Sequence, residues 1–130
     1  MKAKNLPTAE DALLFDAFVV KWQQRLNLGD WRIERGAKPA KNAMASVEFN
    51  PGARLAVYRI GDFGGEAITA ESLEQAAIHE LLHVFLFDLI DTANGKPSAE
   101  QMEAAEHRVV NVLEKLLKDH SCTQNPLLAP

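Results

Sequence analysis

Between Ala77 and Leu86 the chain reads Ala-Ile-His-Glu-Leu-Leu-His-Val-Phe-Leu, and from Leu81 to Ile90 only His83 and Asp88 are polar. Such a run predicts a helix covered on most of its sides, with a histidine pair that must be satisfied by something. His79 and His83 are offset by about 40° around a helix and about 6 Å along it, so both imidazoles can converge on one ion. Glu80 is turned about 100° from His79, which suits a base beside a metal better than a ligand. In this arrangement the histidines hold Zn²⁺, the metal brings the pKa of a water towards neutrality, and the glutamate accepts its proton. The stretch points to hydrolytic chemistry built on a helix.

A catalytic zinc normally takes three protein ligands and leaves one position open. A third histidine six residues after the second, with a glycine between, is one known arrangement, but those positions hold Leu89 and Leu86 here. The remaining source is the last helical stretch, which carries Glu100, Glu103, Glu106 and His107. Apolar residues at Met102, Val109, Leu113, Leu116 and Leu117 give that helix a face, flanked by Ala99, Ala105 and Val110. Glu106 lies four residues after Met102 and three before Val109, so the spacing turns it inward, where coordination offsets the cost of burying a carboxylate. Glu103 is the second choice, and His107 projects with Asn111, Glu114 and Lys118 towards solvent.

The rest of the chain frames these helices. Thr8-Ala9-Glu10-Asp11 opens a first helix with a capping pattern, and that helix is expected to run to Leu26 or Leu28 and stop at Gly29. Its core stripe is read as Leu14, Phe18 and Trp22, joined by Leu13, Phe15, Ala17 and Val19. The period then changes to two. Trp31–Arg35, Ala43–Phe49 and Leu55–Ile60 each alternate as half-buried strands do, and Asn50-Pro51-Gly52 turns the second into the third. Thr69 and Ser72 supply caps for the histidine helix, expected from Ala70 or Leu73 to about Ile90, where Asn94-Gly95 and Pro97 end the segment. Ser98-Ala99-Glu100-Gln101 forms a capping box for a last helix reaching about Asp119. Residues 1–120 are read as one domain and 121–130 as a loosely ordered tail.

With 130 residues, 47% of them hydrophobic, the chain can bury one core without staples. The single cysteine, Cys122, has no partner for an intrachain disulfide. Fourteen Lys and Arg against 18 Asp and Glu give a formal charge of −4, which argues against a non-specific nucleic-acid binder. Lys2, Lys4, Lys38 and Lys41 read as solvated charges. The N-terminal residues lack the apolar run of a secretory signal and no stretch approaches a membrane span, so the expectation is a cytoplasmic protein without membrane contact. Nothing in the sequence speaks to oligomeric state.

His79-Glu80-Leu81-Leu82-His83 followed by a glutamate on the next helix resembles the gluzincin type of zinc metallopeptidase in a minimal, single-domain form. The order of helix, short strands, metal helix and glutamate helix is similar to small metallopeptidase-like proteins of bacteriophages and prophages. The resemblance implies an α+β zincin-like fold: an N-terminal helix, a small three-stranded and mainly antiparallel sheet, the His-Glu-Leu-Leu-His helix and a C-terminal glutamate helix. It implies Zn²⁺ as cofactor, His79, His83 and Glu106 as ligands, Glu80 as general base and a peptide or protein as substrate. It further suggests that strand 55–60 is an edge strand that pairs with the extended substrate, and it leaves Tyr58, Arg59 and His107 as candidates for steadying the oxyanion. A second resemblance, to the zincin core of SprT-like proteins that act near DNA, lacks the usual paired cysteines and the basic charge. From a different class, the same histidine helix also fits a zinc-stabilised binding or adaptor domain with little or no turnover.

Overall fold

The computed structural model describes residues 4–123, with backbone alone for 120–123. Of the expected 121–130 tail, residues 121–123 continue the last helix instead, and the side chain of Cys122 and residues 124–130 lie outside the described residues. The chain divides into two compact units, Met1–Val84 and Phe85–Pro130.

In the first unit, helix α1 spans Ala9–Arg25. Thr8 and Asp11 cap it reciprocally: the Asp11 amide donates to Thr8 Oγ1 at 3.1 Å and the Thr8 amide to Asp11 Oδ2 at 2.9 Å. The helix ends before Gly29. Asn27 takes the left-handed conformation at φ 56°, its amide donates to Gln24 O, and the Leu28 amide donates to Gln23 O. This paired closure satisfies two terminal carbonyls and turns Leu28 into the core. Gln23 secures the turn from its side chain, donating Nε2 to Leu28 O and Trp31 O. The buried stripe of α1 is Ala12, Phe15, Val19 and, at its end, Leu26, whereas Leu13, Leu14 and Val20 are exposed. The expected stripe on Leu14, Phe18 and Trp22 is therefore displaced by part of a turn, with Phe18 and Trp22 only half-buried.

Three strands follow: β1 (Arg32–Arg35), β2 (Ala45–Asn50) and β3 (Leu55–Ile60). A 3₁₀ turn, Pro51–Ala53, joins β2 to β3, with Arg54 left-handed at φ 49°. The Arg54 guanidinium lies 4.2 Å over the Trp31 ring and pairs with Asp30, which holds the turn against the start of β1. The sheet order is β1-β3-β2. β3 pairs antiparallel with β2 and parallel with β1, so the sheet is mixed rather than mainly antiparallel. This corrects the reading of 55–60 as an edge strand. β3 is the central strand, its main-chain groups are used on both sides, and β1 and β2 hold the two edges.

The register assigns the faces. Ile33, Val47, Phe49, Ala56 and Tyr58 share one face, where Tyr58 packs on Phe15 of α1 with ring centroids 5.5 Å apart. Arg32, Glu34, Glu48 and Arg59 share the other, and the Arg59–Glu48 pair at 3.2 Å is part of a polar outer surface. Helix α2 (Ala70–Asn94) is opened by Thr69 and Ser72 in a reciprocal cap, with bonds of 2.9 and 3.0 Å. Its first half is tied to α1 through Glu74 Oε2, which accepts from Lys21 Nζ at 2.7 Å and Trp22 Nε1 at 2.9 Å.

In the second unit, α2 runs on to Asn94 and helix α3 occupies Ala99–Thr123. The expected Ser98–Gln101 capping box is present, with bonds of 2.9 and 3.1 Å. Ala105 is buried, and Met102, Val109, Val112 and Leu116 are half-buried along the same line. Among the described residues no helix is long and apolar enough to cross a membrane.

Candidate metal centre

Within the first unit, α2 buries Leu73, Ala76, Ala77, Glu80, Leu81 and Val84, positions that recur every three or four residues. His79 and His83 fall about a quarter-turn or more from the centre of that stripe, and both are exposed. The expected burial of the pair is thus reversed: the histidines reach solvent and the acid between them is covered, at 8% exposure. The apolar run that suggested enclosure includes Leu82, itself exposed, and exposed apolar residues are common on folded surfaces.

The two imidazole centroids stand 5.0 Å apart with their planes 78° to each other. With Zn–N bonds of about 2.1 Å and tetrahedral angles, two imidazoles on one zinc have centroids about 5 Å apart, so the pair fits that ion. Among the described residues of the first unit, no third His, Cys, Asp or Glu joins the pair to form a three-donor group.

Glu80 differs from an ordinary buried acid. No protein donor bonds its carboxylate among the described residues, yet no buried side-chain polar atom there is without a partner. Its oxygens therefore keep contact with open space. That space is a cavity of about 320 Å³ bounded by Ala76, His79 and Glu80 of α2 and by Met44 and Ala45 at the start of β2, with Glu66 and Gln75 on its rim. Burial pushes the Glu80 carboxyl above the usual carboxylate range, and the neighbouring charges of His79 and then His83 draw it down. Burial outweighs them, and a carboxyl so raised is suited to taking and giving a proton.

Glu106 lies on the shoulder of the α3 stripe and is exposed, not turned into the core. The covered line passes through Ala105, Val109 and Val112, and Val112, absent from the expected face, moves its centre away from Glu106. Glu103 and His107 are exposed and lie 3.6 Å from each other. Neither proposed oxyanion partner in the sheet is free. Tyr58 donates its hydroxyl to Asp16, and Arg59 is on the outer face with Glu48. The feature that sequence reading missed is the β2 edge. Its signal was the return from β1 to a parallel partner, which alternation alone does not reveal.

Comparison with protein-family models, with curated proteins and with solved structures finds no significant match to this chain.

Proposed function

We propose that the protein is a zinc-dependent peptidase. The observation that carries this reading is Glu80: a covered carboxylate without a protein partner, opening on a cavity beside two imidazoles spaced as zinc ligands are. His79 and His83 would hold the ion, and the sequence offers Glu106 as the third donor. Bound there, zinc supplies Lewis acidity, acidifying a water and polarising a peptide carbonyl.

The remaining work falls to the chain's own groups. Glu80 takes the proton of the attacking water and delivers it to the departing amine. The substrate strand is assigned to β2 instead of residues 55–60. Met44 O accepts from Gly61 N at 2.8 Å, so by the alternation of an antiparallel ladder Ala45 and Val47 turn their amides and carbonyls to the open edge. An extended peptide adding to that edge gains main-chain bonds whatever its sequence, and its scissile bond is delivered beside Glu80.

The test is cleavage of unfolded casein or a peptide library by purified, zinc-loaded protein and by Glu80→Gln. Loss of at least about 100-fold in the variant is expected for removal of a general base. Equal cleavage by both proteins would remove Glu80 from the mechanism.

A further inference from the structure

The cavity beside Glu80 has a chemical bias that its position alone does not require. Its walls are apolar at Met44, Ala45 and Ala76, His79 and Glu80 close the end that belongs to the proposed centre, and the acid Glu66 stands among the remaining lining residues, none of which is Lys or Arg. Glu66 has no ion pair among the described residues. Its backbone is fixed on both sides: the Glu66 amide donates to Phe63 O at 3.0 Å, and Glu66 O accepts from Asn5 Nδ2 at 2.8 Å. Asn5 also holds Gly64 O, and its own amide donates to Asp62 Oδ1 at 2.9 Å. The exposed Glu66 carboxylate is therefore presented from a pinned loop, with its ordering cost met on folding. Ser72, a further polar lining residue, is occupied internally, since its Oγ donates to Ala67 O at 2.8 Å.

We propose that this cavity is a specificity subsite for a lysine or arginine side chain of the peptide, with Glu66 as the residue that selects it. The inference rests on the peptidase reading above. A volume of about 320 Å³ suits one long side chain. The aliphatic stem of Lys or Arg covers Met44, Ala45 and Ala76, and the cationic head reaches Glu66 on the rim. A peptide on the β2 edge turns every second side chain to the same face, so a single position of the substrate enters. An acidic side chain reaching the rim meets the Glu66 carboxylate and is disfavoured.

The experiment uses the full zinc-loaded chain and fluorescent decapeptides identical except for Lys, Arg, Leu or Glu at one central position, reading both Kd by anisotropy and cleavage by mass spectrometry. Lys and Arg peptides should bind about two- to fivefold more tightly than the Leu peptide, as for a solvent-accessible ion pair, and the Glu peptide more weakly. In Glu66→Gln the Lys-to-Leu ratio should fall towards one, and in Glu66→Lys the Glu peptide should be preferred. Binding with this charge preference but without cleavage supports the subsite and overturns the peptidase reading. Cleavage with no charge preference, or with a preference unchanged in Glu66→Gln, overturns the subsite alone. Absence of binding by every peptide overturns both.

Discussion

Tyr58 donates its hydroxyl to Asp16 Oδ1 at 2.6 Å, and the same oxygen receives Arg35 Nε at 3.1 Å. One carboxylate on α1 thereby fastens the central strand β3 and its neighbour β1 to the helix that covers them. Tyr58 is 5% exposed and is the chain's only tyrosine. Burial, then the hydrogen bond to Asp16 and its charge, hold the phenol well above its ordinary pKa, with Arg35 opposing.

This makes Tyr58 directly measurable. A group whose pKa is raised on folding contributes stability that is whole below its unfolded value, about 10 for tyrosine, and is lost as pH climbs from there towards the native value. In a spectrophotometric titration the native protein should show no phenolate at a pH where the urea-unfolded chain is half-ionised. Tyr58→Phe should cost about 1–2 kcal/mol at neutral pH, a bond to a charged group discounted because its partner Asp16 is partly exposed, and should flatten the alkaline loss of stability. Identical titration of native and unfolded chains would contradict the bond.

Glu74 gives the opposite sign. The hydrogen bonds from Lys21 and then Trp22 hold its carboxyl below the usual range. Its stabilising contribution is therefore present above the unfolded carboxylate value, about 4.3, and disappears as pH falls through the native one. Urea midpoints measured from pH 7 downward should decline less steeply in Glu74→Gln than in the parent chain. An equal decline would show that the α1–α2 tie does not contribute to acid sensitivity.

Two glycines should respond oppositely to alanine. A Cβ at the buried Gly61 would run into Ala43 O, with Ala40 O at 2.8 Å, and both are backbone atoms of the approach to β2. Gly65 has nothing within 4 Å. Gly61→Ala is expected to destabilise by about 1–3 kcal/mol, the range for overpacking, while Gly65→Ala stays within about 0.5 kcal/mol. Thermal melts of the two variants check the contrast.

The strands and the three capped helix starts were legible because each rests on local chemistry. Alternation in 45–50 and 55–60 follows from a sheet with one covered face, and Thr8, Thr69 and Ser98 bond within their own first turns. Neighbour choice was not legible. Alternation reports which face a strand buries, not which strand it pairs with, so nothing local distinguished the central β3 from the edge β2. The end of α1, at Arg25 with Leu26 as its cap, falls within a residue of the nearer expected position, but Asn27, not Gly29, takes the left-handed turn, and asparagine does so with a weaker sequence signal than glycine. Helix phase failed where apolar residues are plentiful. On α3 the apolar arc from Met102 to Leu117 is wide enough that its centre passes beside Glu106.

The histidine pair supplies the prediction that separates an enzyme from a zinc-stabilised domain. Loss of a residue that only hydrogen-bonds a metal ligand weakens metal sites by about 10- to 100-fold, so loss of a ligand should cost at least about 100-fold in zinc affinity. His79→Ala and His83→Ala are expected to show that loss in competition titrations. Glu106→Ala should follow them if it is the third donor, Glu103→Ala should not, and the reverse result would move the ligand to Glu103. Glu80→Gln should retain zinc under the proposed mechanism, which gives Glu80 the proton and not the metal. A ligand that binds only the native state adds about 2.7 kcal/mol at one hundred times its Kd. Zinc at that level should therefore raise the parent's melting temperature, and the rise should vanish in His79→Ala and His83→Ala. Chelation that unfolds the chain at ambient temperature, with no hydrolysis in the loaded protein, would assign the ion to folding and leave Glu80 without a catalytic role.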